Sequence, residues 1–292
     1  MEITPALVKE LRERTSAGMM DCKRALVEAR GDIDLAAEVL RKAGQAKADK
    51  KASRVAAEGQ VLIHSDQAGR RYAIVEVNSE TDFVAKDENF RGFVQVVAEL
   101  VLDRNPAGVE ELMLLSTAGR TLEETRQALV VKVGENIAVR RFHRLQTKGT
   151  VGSYLHMGRI GVLLELDGGT VELARDLAMQ TAATSPRYVA PENVPHDELA
   201  KEREILSAQA AQEGKPPEIV AKIVEGRLKK HLEEITLTGQ PFVKDQDQRV
   251  RELLAANKAR VNGFLRYEVG EGIEKKASDF VQEVMAQASQ SR

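Results

Sequence analysis

Two stretches of this chain repeat one pattern, paired apolar runs of strand length followed by an amphipathic helix, and that recurrence limits the folds open to it. Residues 61–64 and 72–77 form the first pair, joined by a Gly-containing connection at 66–70. Phe90, Phe93, Val94 and Val97 then recur at helical spacing and predict a helix to about residue 102. Residues 151–156 and 160–166 form the second pair, joined across Met157-Gly158-Arg159, and Leu173, Leu177 and Ala178 mark a helix near 171–183. Another helix is expected over 121–133. This weak internal duplication implies an α+β protein with two related core subdomains, each packing helices on an antiparallel sheet.

The flanks are helical. Thr4 can cap a first helix, with Pro5 where its missing N–H costs nothing, and Leu7, Val8 and Leu11 give the stripe. Ser16-Ala17-Gly18 breaks it. Ala25, Leu26 and Ala29 line a second helix from about Asp21, and Gly31-Asp32 leads into a third with an apolar face of Leu35, Ala36, Val39 and Leu40. Helical stretches at 197–213 and 218–234 meet at Gly214-Lys215-Pro216-Pro217, which reads as a projecting antiparallel coiled-coil hairpin. Leu199, Ile205 and Leu206 are expected to face Ile219, Ile223 and Leu228. A helix at 249–257, a strand at 263–269 and an amphipathic helix near 279–288 complete the chain. The expected organisation is a three-helix domain and linker at 1–55, a first core subdomain at 56–145, a second at 146–193 and 238–262, the hairpin inserted at 194–237, and a C-terminal strand-and-helix module at 263–292.

Little in the sequence points to catalysis. There is no Gly-x4-Gly-Lys-Ser/Thr loop to cradle phosphates, so the chain is not expected to hold a nucleotide itself, and Gly270-Glu271-Gly272 reads as a turn after a strand. His64, His143, His156, His196 and His231 lie at no metal-ligand spacing with one another or with Cys22. No nucleophile constellation can be argued, so neither an enzyme nor a cofactor is expected. One cysteine allows no intrachain disulfide and fits a reducing compartment. The N-terminus lacks the basic and apolar regions of a signal peptide, and no run approaches the roughly 18 apolar residues of a membrane span; a cytoplasmic location is expected. A net charge of -2 and 4% aromatics, with no tryptophan, argue against a nucleic-acid coat or a stacking surface. The basic run at 41–54 leaves two readings open, an RNA or phosphate patch and a solvated helix end with linker; Asp49 and several alanines interrupt it.

One segment stands apart, Thr81-Asp82-Phe83-Val84-Ala85-Lys86-Asp87-Glu88-Asn89-Phe90. The helical stripe starts at Phe90, so Phe83 falls in the strand-to-helix turn beside a carboxylate. It is either a buried hydrophobic staple next to a capping Asp or an exposed acid-plus-aromatic probe of the kind that anchors interfaces.

That segment resembles the Thr-Asp-Phe-Val-Ala signature of the elongation factor Ts family. Val8-Lys9-Glu10-Leu11-Arg12-Glu13-Arg14-Thr15, Ala17-Gly18-Met19-Met20-Asp21-Cys22-Lys23, Gly134-Glu135-Asn136-Ile137, Ser153-Tyr154 with His156, Gly239-Gln240-Pro241-Phe242 and Glu268-Val269-Gly270-Glu271-Gly272-Ile273 also resemble the family's blocks, in its order and over essentially the whole chain. The resemblance implies a ubiquitin-associated-like N-terminal domain, the duplicated core, the coiled-coil insertion of the longer members and a C-terminal module that touches the partner. It further implies a guanine-nucleotide exchange factor that binds elongation factor Tu, GDP-bound or nucleotide-free, as a heterodimer, without a membrane or direct nucleic-acid contact. On that resemblance Phe83 wedges into the partner's nucleotide domain, flanked by Thr81 and Val84, while Asp82 disturbs the magnesium site. Val133 and Gly134 press near its phosphate loop, His156 makes a further contact, and Arg12, Met19 and Met20 bind from the N-terminal domain. The alternative is an RNA- or ribosome-binding translation protein using residues 41–54.

Overall fold

The computed structural model describes residues 3–15, 17–117, 119–212 and 216–274; the expected helix near 279–288 and residues 214–215 of the turn at 214–217 lie outside them. The chain divides into two units, one holding residues up to 67, 71–145 and from 268 on, the other residues 68–70 and 146–267.

The first unit opens with helices α1 (Pro5–Thr15), α2 (Met19–Glu28) and α3 (Ile33–Lys51). The Thr4 hydroxyl accepts the Leu7 N–H, and the Asp32 carboxylate accepts that of Leu35 at 2.9 Å, so both helices start on side-chain caps. Leu11, Cys22, Leu26 and Ala36 are fully buried among them. Leu35, expected on the apolar face, is instead 49% exposed. The buried position is its neighbour Ala36, about 100° around the helix.

Strands β1 (Glu58–Ser65) and β2 (Arg71–Ser79) form an antiparallel hairpin. After it come α4 (Asp82–Ala85), α5 (Glu88–Arg104) and α6 (Val109–Leu114). The short hairpin β3 (Ser116–Thr117) and β4 (Arg120–Thr121) leads into α7 (Leu122–Val133) and then β5 (Ile137–Gln146). The sheet order is β1-β2-β5. Ala73, Val75 and Val77 alternate along β2 and pack against Phe90, Phe93, Val94, Val97 and Val101 of α5 in one buried cluster. Asp87 caps α5 by accepting the Asn89 and Phe90 N–H groups at 2.8 and 3.2 Å. A capping box between Thr121 and Glu124 starts α7.

The sequence pattern predicts no strand at β5, because Arg140, Arg141 and Arg144 dilute its apolar pattern of Ile137 and Val139. Two of those arginines serve a buried charge. Glu76, fully buried on β2, accepts from Arg140 at 3.0 Å, Arg141 at 2.6 Å, the Asn78 side chain at 3.1 Å and the Gly270 N–H at 2.8 Å. Burial alone pushes the Glu76 carboxyl upward; the Gly270 N–H and then the two guanidinium groups outweigh it and hold it below the ordinary glutamate range. Arg141 also reaches the Glu271 carboxylate at 3.1 Å, so the returning 268–271 segment is clasped to this sheet.

The second unit has β6 (Thr150–His156) and β7 (Ile160–Asp167) as an antiparallel hairpin, then α8 (Val171–Thr184), α9 (His196–Ala211) and α10 (Pro217–Ile235). The two-stranded pair β8 (Pro241–Phe242) and β9 (Asp245–Arg249), α11 (Val250–Ala256) and β10 (Arg260–Glu268) follow. The sheet order is β10-β7-β6. In both units the third strand joins the second strand of the hairpin after a helical excursion, so the duplication read in the sequence extends to topology. Gly152 lets α8 approach β6 closely: a Cβ there would lie 2.0 Å from the Ala174 carbonyl oxygen.

Helices α9 and α10 pack through Leu206, Ala210, Val224 and Leu228, with Leu199, Val220, Ile223 and Leu232 partly buried alongside. Ile205 and Ile219, expected in this seam, are 43% and 47% exposed, because each sits one residue off the 3–4 spacing that Leu206 and Val220 keep. The hairpin's root is tied by Gln240, which accepts from Gln180 at 3.1 Å and Thr184 at 2.6 Å and donates to the Glu234 carbonyl at 2.9 Å.

Replacing Glu76 with Leu is expected to cost about 3 kcal/mol at neutral pH, the lower end for breaking a buried ion pair, because Arg140 and Arg141 retain 26% and 31% exposure. A carboxyl depressed in the fold stabilises above the unfolded glutamate value of about 4.3, and that contribution disappears as pH falls through the folded value. Urea melts of wild type and variant should therefore converge in acid; a gap that stays constant from pH 7 to pH 3 would contradict the clasp. Gly152→Ala should lose at least the ~1–3 kcal/mol of an overpacked core, since the obstacle is backbone, and a melt within 1 °C of wild type would contradict the close approach.

Candidate functional site

Two chain corners meet at one edge of the first unit. At the first, β2 ends at Ser79 and the single turn α4 begins at Asp82. At the second, α7 ends on Gly134, whose φ of 84° is the left-handed conformation that closes a helix without a Cβ clash, and β5 starts at Ile137. Each corner sends a carboxylate into the other. Glu135 accepts the Thr81 N–H at 2.9 Å and the Thr81 hydroxyl at 2.6 Å; Glu80 accepts the Asn136 N–H at 2.6 Å. Such charge-assisted bonds are the short, strong kind.

The corners also receive the exit of α3. Lys51 donates to the Gly134 carbonyl, the Asn136 side chain donates to the carbonyls of Arg54 at 2.8 Å and Ala52 at 3.3 Å, and Arg54 lies 3.6 Å from Glu80. Arg41 pairs with Glu124 at 3.0 Å and Lys47 with Asp21 at 3.1 Å. Much of the basic run is therefore continued helix whose cations have partners in their own unit.

This frame presents α4. Thr81 is its N-cap, and Val84 and Ala85 turn inward onto the core cluster. Phe83 points out and is 79% exposed, so it is not a staple. Asp82 and Lys86, one helical turn apart, pair at 2.7 Å, and the Lys86 ammonium stands 6.0 Å from the Phe83 ring centroid. Val133 is half-buried against the core while Gly134 is exposed. Thr81, Asp82, Phe83, Val84, Val133 and Gly134 thus share one edge.

Arg12, Met19 and Met20 lie on α1 and α2; all three are exposed, the methionines by 58% and 66%, outside the core made by Cys22, Ala25 and Leu26. His156 ends β6 in the second unit. Its ring is exposed, lies 3.2 Å from the Tyr154 hydroxyl and stacks on the Tyr154 ring. The turn beyond it has positive φ at Met157 (51°) and Gly158, and Met157 is 87% exposed. Among the described residues no three His, Cys, Asp or Glu side chains converge as a metal-holding group, and no helix is long and apolar enough to cross a membrane.

Sequence reasoning gave Glu80, Glu135, Asn136 and Lys51 no role. Their hydrogen-bond partners are 54 to 84 positions away, beyond any local pattern. The visible signal was that Glu135 and Asn136 stand inside a block that resembled the family while serving no apolar stripe.

The family model described as elongation factor TS matches residues 80–271. Proteins named elongation factor Ts are similar over their full length. That of Thioalkalivibrio sulfidiphilus is 58% identical, covering 99% of each chain. That of Halorhodospira halophila is 55% identical, covering 100% of each. That of Legionella pneumophila strain Paris is 51% identical, covering 98% of each.

Replacing the exposed Phe83 with Ala is expected to leave stability within about 0.5 kcal/mol of wild type, whereas Phe90→Ala, fully buried seven residues on, should cost about 3–5 kcal/mol. Thermal melts of both variants check this; a comparable loss for Phe83→Ala would mean that its ring is part of the core.

Proposed function

The chain belongs to the elongation factor Ts family, and on that premise we propose that it is a guanine-nucleotide exchange factor for elongation factor Tu in translation elongation. The observation that carries the reading is the 79% exposure of Phe83 on a turn held rigidly from both sides. An exposed aromatic ring beside a carboxylate, on a capped turn, fits the aromatic anchors that carry much of the binding energy at protein interfaces.

An exchange factor supplies no covalent chemistry. It binds the nucleotide-poor state of its partner more tightly than the GDP-bound state, and linkage then requires that its binding weaken the partner's hold on GDP by the same factor. In this reading Phe83 enters an apolar gap of the partner's nucleotide domain. Asp82 reaches toward the magnesium site once it leaves Lys86. Thr81 and Val84 hold the turn, and Val133 and Gly134 approach the phosphate loop. Arg12, Met19 and Met20 contact the partner from the three-helix domain, the methionines as adaptable apolar surface, and His156 does so from the second unit. The product is a heterodimer in the cytoplasm, with the helical hairpin as the insertion of the longer members. The domain limits proposed are 1–55, 56–145, 146–193 with 238–262, 194–237 and 263–292. Three of the six cations of the 41–54 run pair with carboxylates of their own unit, which weighs against the RNA-binding alternative by reducing the charge left to neutralise phosphates.

Release of a fluorescent GDP analogue from elongation factor Tu tests the reading. Substoichiometric protein should accelerate release catalytically. Phe83→Ala should weaken the effect by about 1–3 kcal/mol, roughly 5- to 150-fold, and Asp82→Ala should weaken it as well. A folded wild-type chain that leaves the release rate of a cognate partner unchanged would sink the proposal, and RNA binding that falls steeply with salt would then bring the alternative forward.

A further inference from the structure

We propose that Asn136 is a positioning residue for nucleotide release: it fixes the exit of the N-terminal helical domain to the corner that carries Phe83 and Gly134, an inference that rests on the exchange reading of that edge. Asn136 is 5% exposed, and its bonds run to two different chain segments. The main-chain N–H goes to Glu80 at 2.6 Å, on the residue before Thr81; the side-chain amide donates to the carbonyls of Arg54 at 2.8 Å and Ala52 at 3.3 Å, just past α3.

The chemistry requires an amide. Both acceptors are carbonyls, so the side chain must donate, which a carboxylate of the same size cannot do. An apolar side chain would leave the two carbonyls, on the exposed residues Ala52 and Arg54, without this partner and the junction without its tie. The three segments joined, 52–54, 80–81 and 134–136, are all corners, where regular helix and strand hydrogen bonding gives out after the closing bonds of α3 and α7. Lys51 on the Gly134 carbonyl and Arg54 beside Glu80 reinforce the same junction.

The consequence concerns registration. The exposed Met19 and Met20 of the three-helix domain and the exposed Phe83 belong to one unit and are linked through α3, the 52–54 exit and Asn136. A partner seated on the helical domain therefore meets Phe83 and Gly134 at set positions. Loosening the junction should leave the partner bound but the working residues out of place, which lowers the rate of the bound complex more than it lowers affinity. Misplacement of about 1 Å at a working centre costs up to ~100-fold in rate, so a loss of about tenfold is expected.

The experiment uses the full chain as Asn136→Asp, isosteric but without the donors, and Lys51→Met, with Lys50→Met as the control from the exposed face of α3. GDP-analogue release from elongation factor Tu is measured against factor concentration, beside thermal melts and hydrogen exchange at the amides of 52–57 and 134–137. The expected result is a saturating rate about tenfold lower for Asn136→Asp, with the half-saturating concentration within about twofold. Both amide groups should lose protection together, and Lys50→Met should match wild type. Saturating rates equal to wild type in both variants, with intact melts, would overturn the positioning role while leaving the exchange reading standing. A wild-type chain without any acceleration would remove the exchange reading itself, and this proposal with it. If Asn136→Asp does not fold, Lys51→Met decides between the same two outcomes.

Discussion

The crossed carboxylates Glu80 and Glu135 are the contacts on which the edge that carries Phe83 depends. Neither corner could hold its shape through main-chain hydrogen bonding alone: the β2–α4 corner has only a four-residue helix beyond it, and the α7–β5 corner consists of a helix terminus and two connecting residues. By exchanging acceptors, each corner supplies what the other lacks. Glu135 occupies the main-chain N–H and hydroxyl of Thr81, and the same hydroxyl oxygen lies 3.4 Å from the Val84 N–H it caps. The start of the single turn is thus specified by a residue distant in sequence, and the ring of Phe83 inherits that placement.

The same economy recurs in the β2–β5 pair. A buried glutamate without partners would be expelled or protonated, yet Glu76 sits with no exposed surface because β5 brings two adjacent arginines and the chain brings back the Gly270 N–H. The arginines made β5 hard to read as a strand and are the reason it lies where it does. Local periodicity describes elements whose partners are apolar and interchangeable. It fails where one specific charge on a distant strand dictates the residue.

That distinction explains what was legible. Helices α5, α7 and α8 start on side-chain caps at Asp87, Thr121 and Thr170, and these helices, the β-hairpins and the helical hairpin stand close to the limits the sequence predicts. The short pairs β3–β4 and β8–β9 and the helix α6 bury too few apolar residues to leave a pattern. In the hairpin the two helices were legible while the seam was not: Ile205 and Ile219 are as apolar as their neighbours, and only the packing of one helix on the other selects which neighbour turns inward. Among the candidate residues, Phe83 stood out because it broke the helical stripe, a signal carried by one residue. Glu80, Glu135 and Asn136 carry the support, and polar support over long sequence distances leaves no local signal. The Gln240 network at the hairpin's root was opaque for the same reason.

The turn that bears Phe83 is capped at its start by Thr81 and followed directly by the Asp87 cap of α5, with Val84 and Ala85 anchored in the core between them. Four residues so bracketed have almost no backbone freedom left to lose. Many recognition loops order themselves only on contact; on the exchange reading proposed above, this turn would instead dock as a preformed key, and the entropy cost of shaping it would fall on folding instead of on binding.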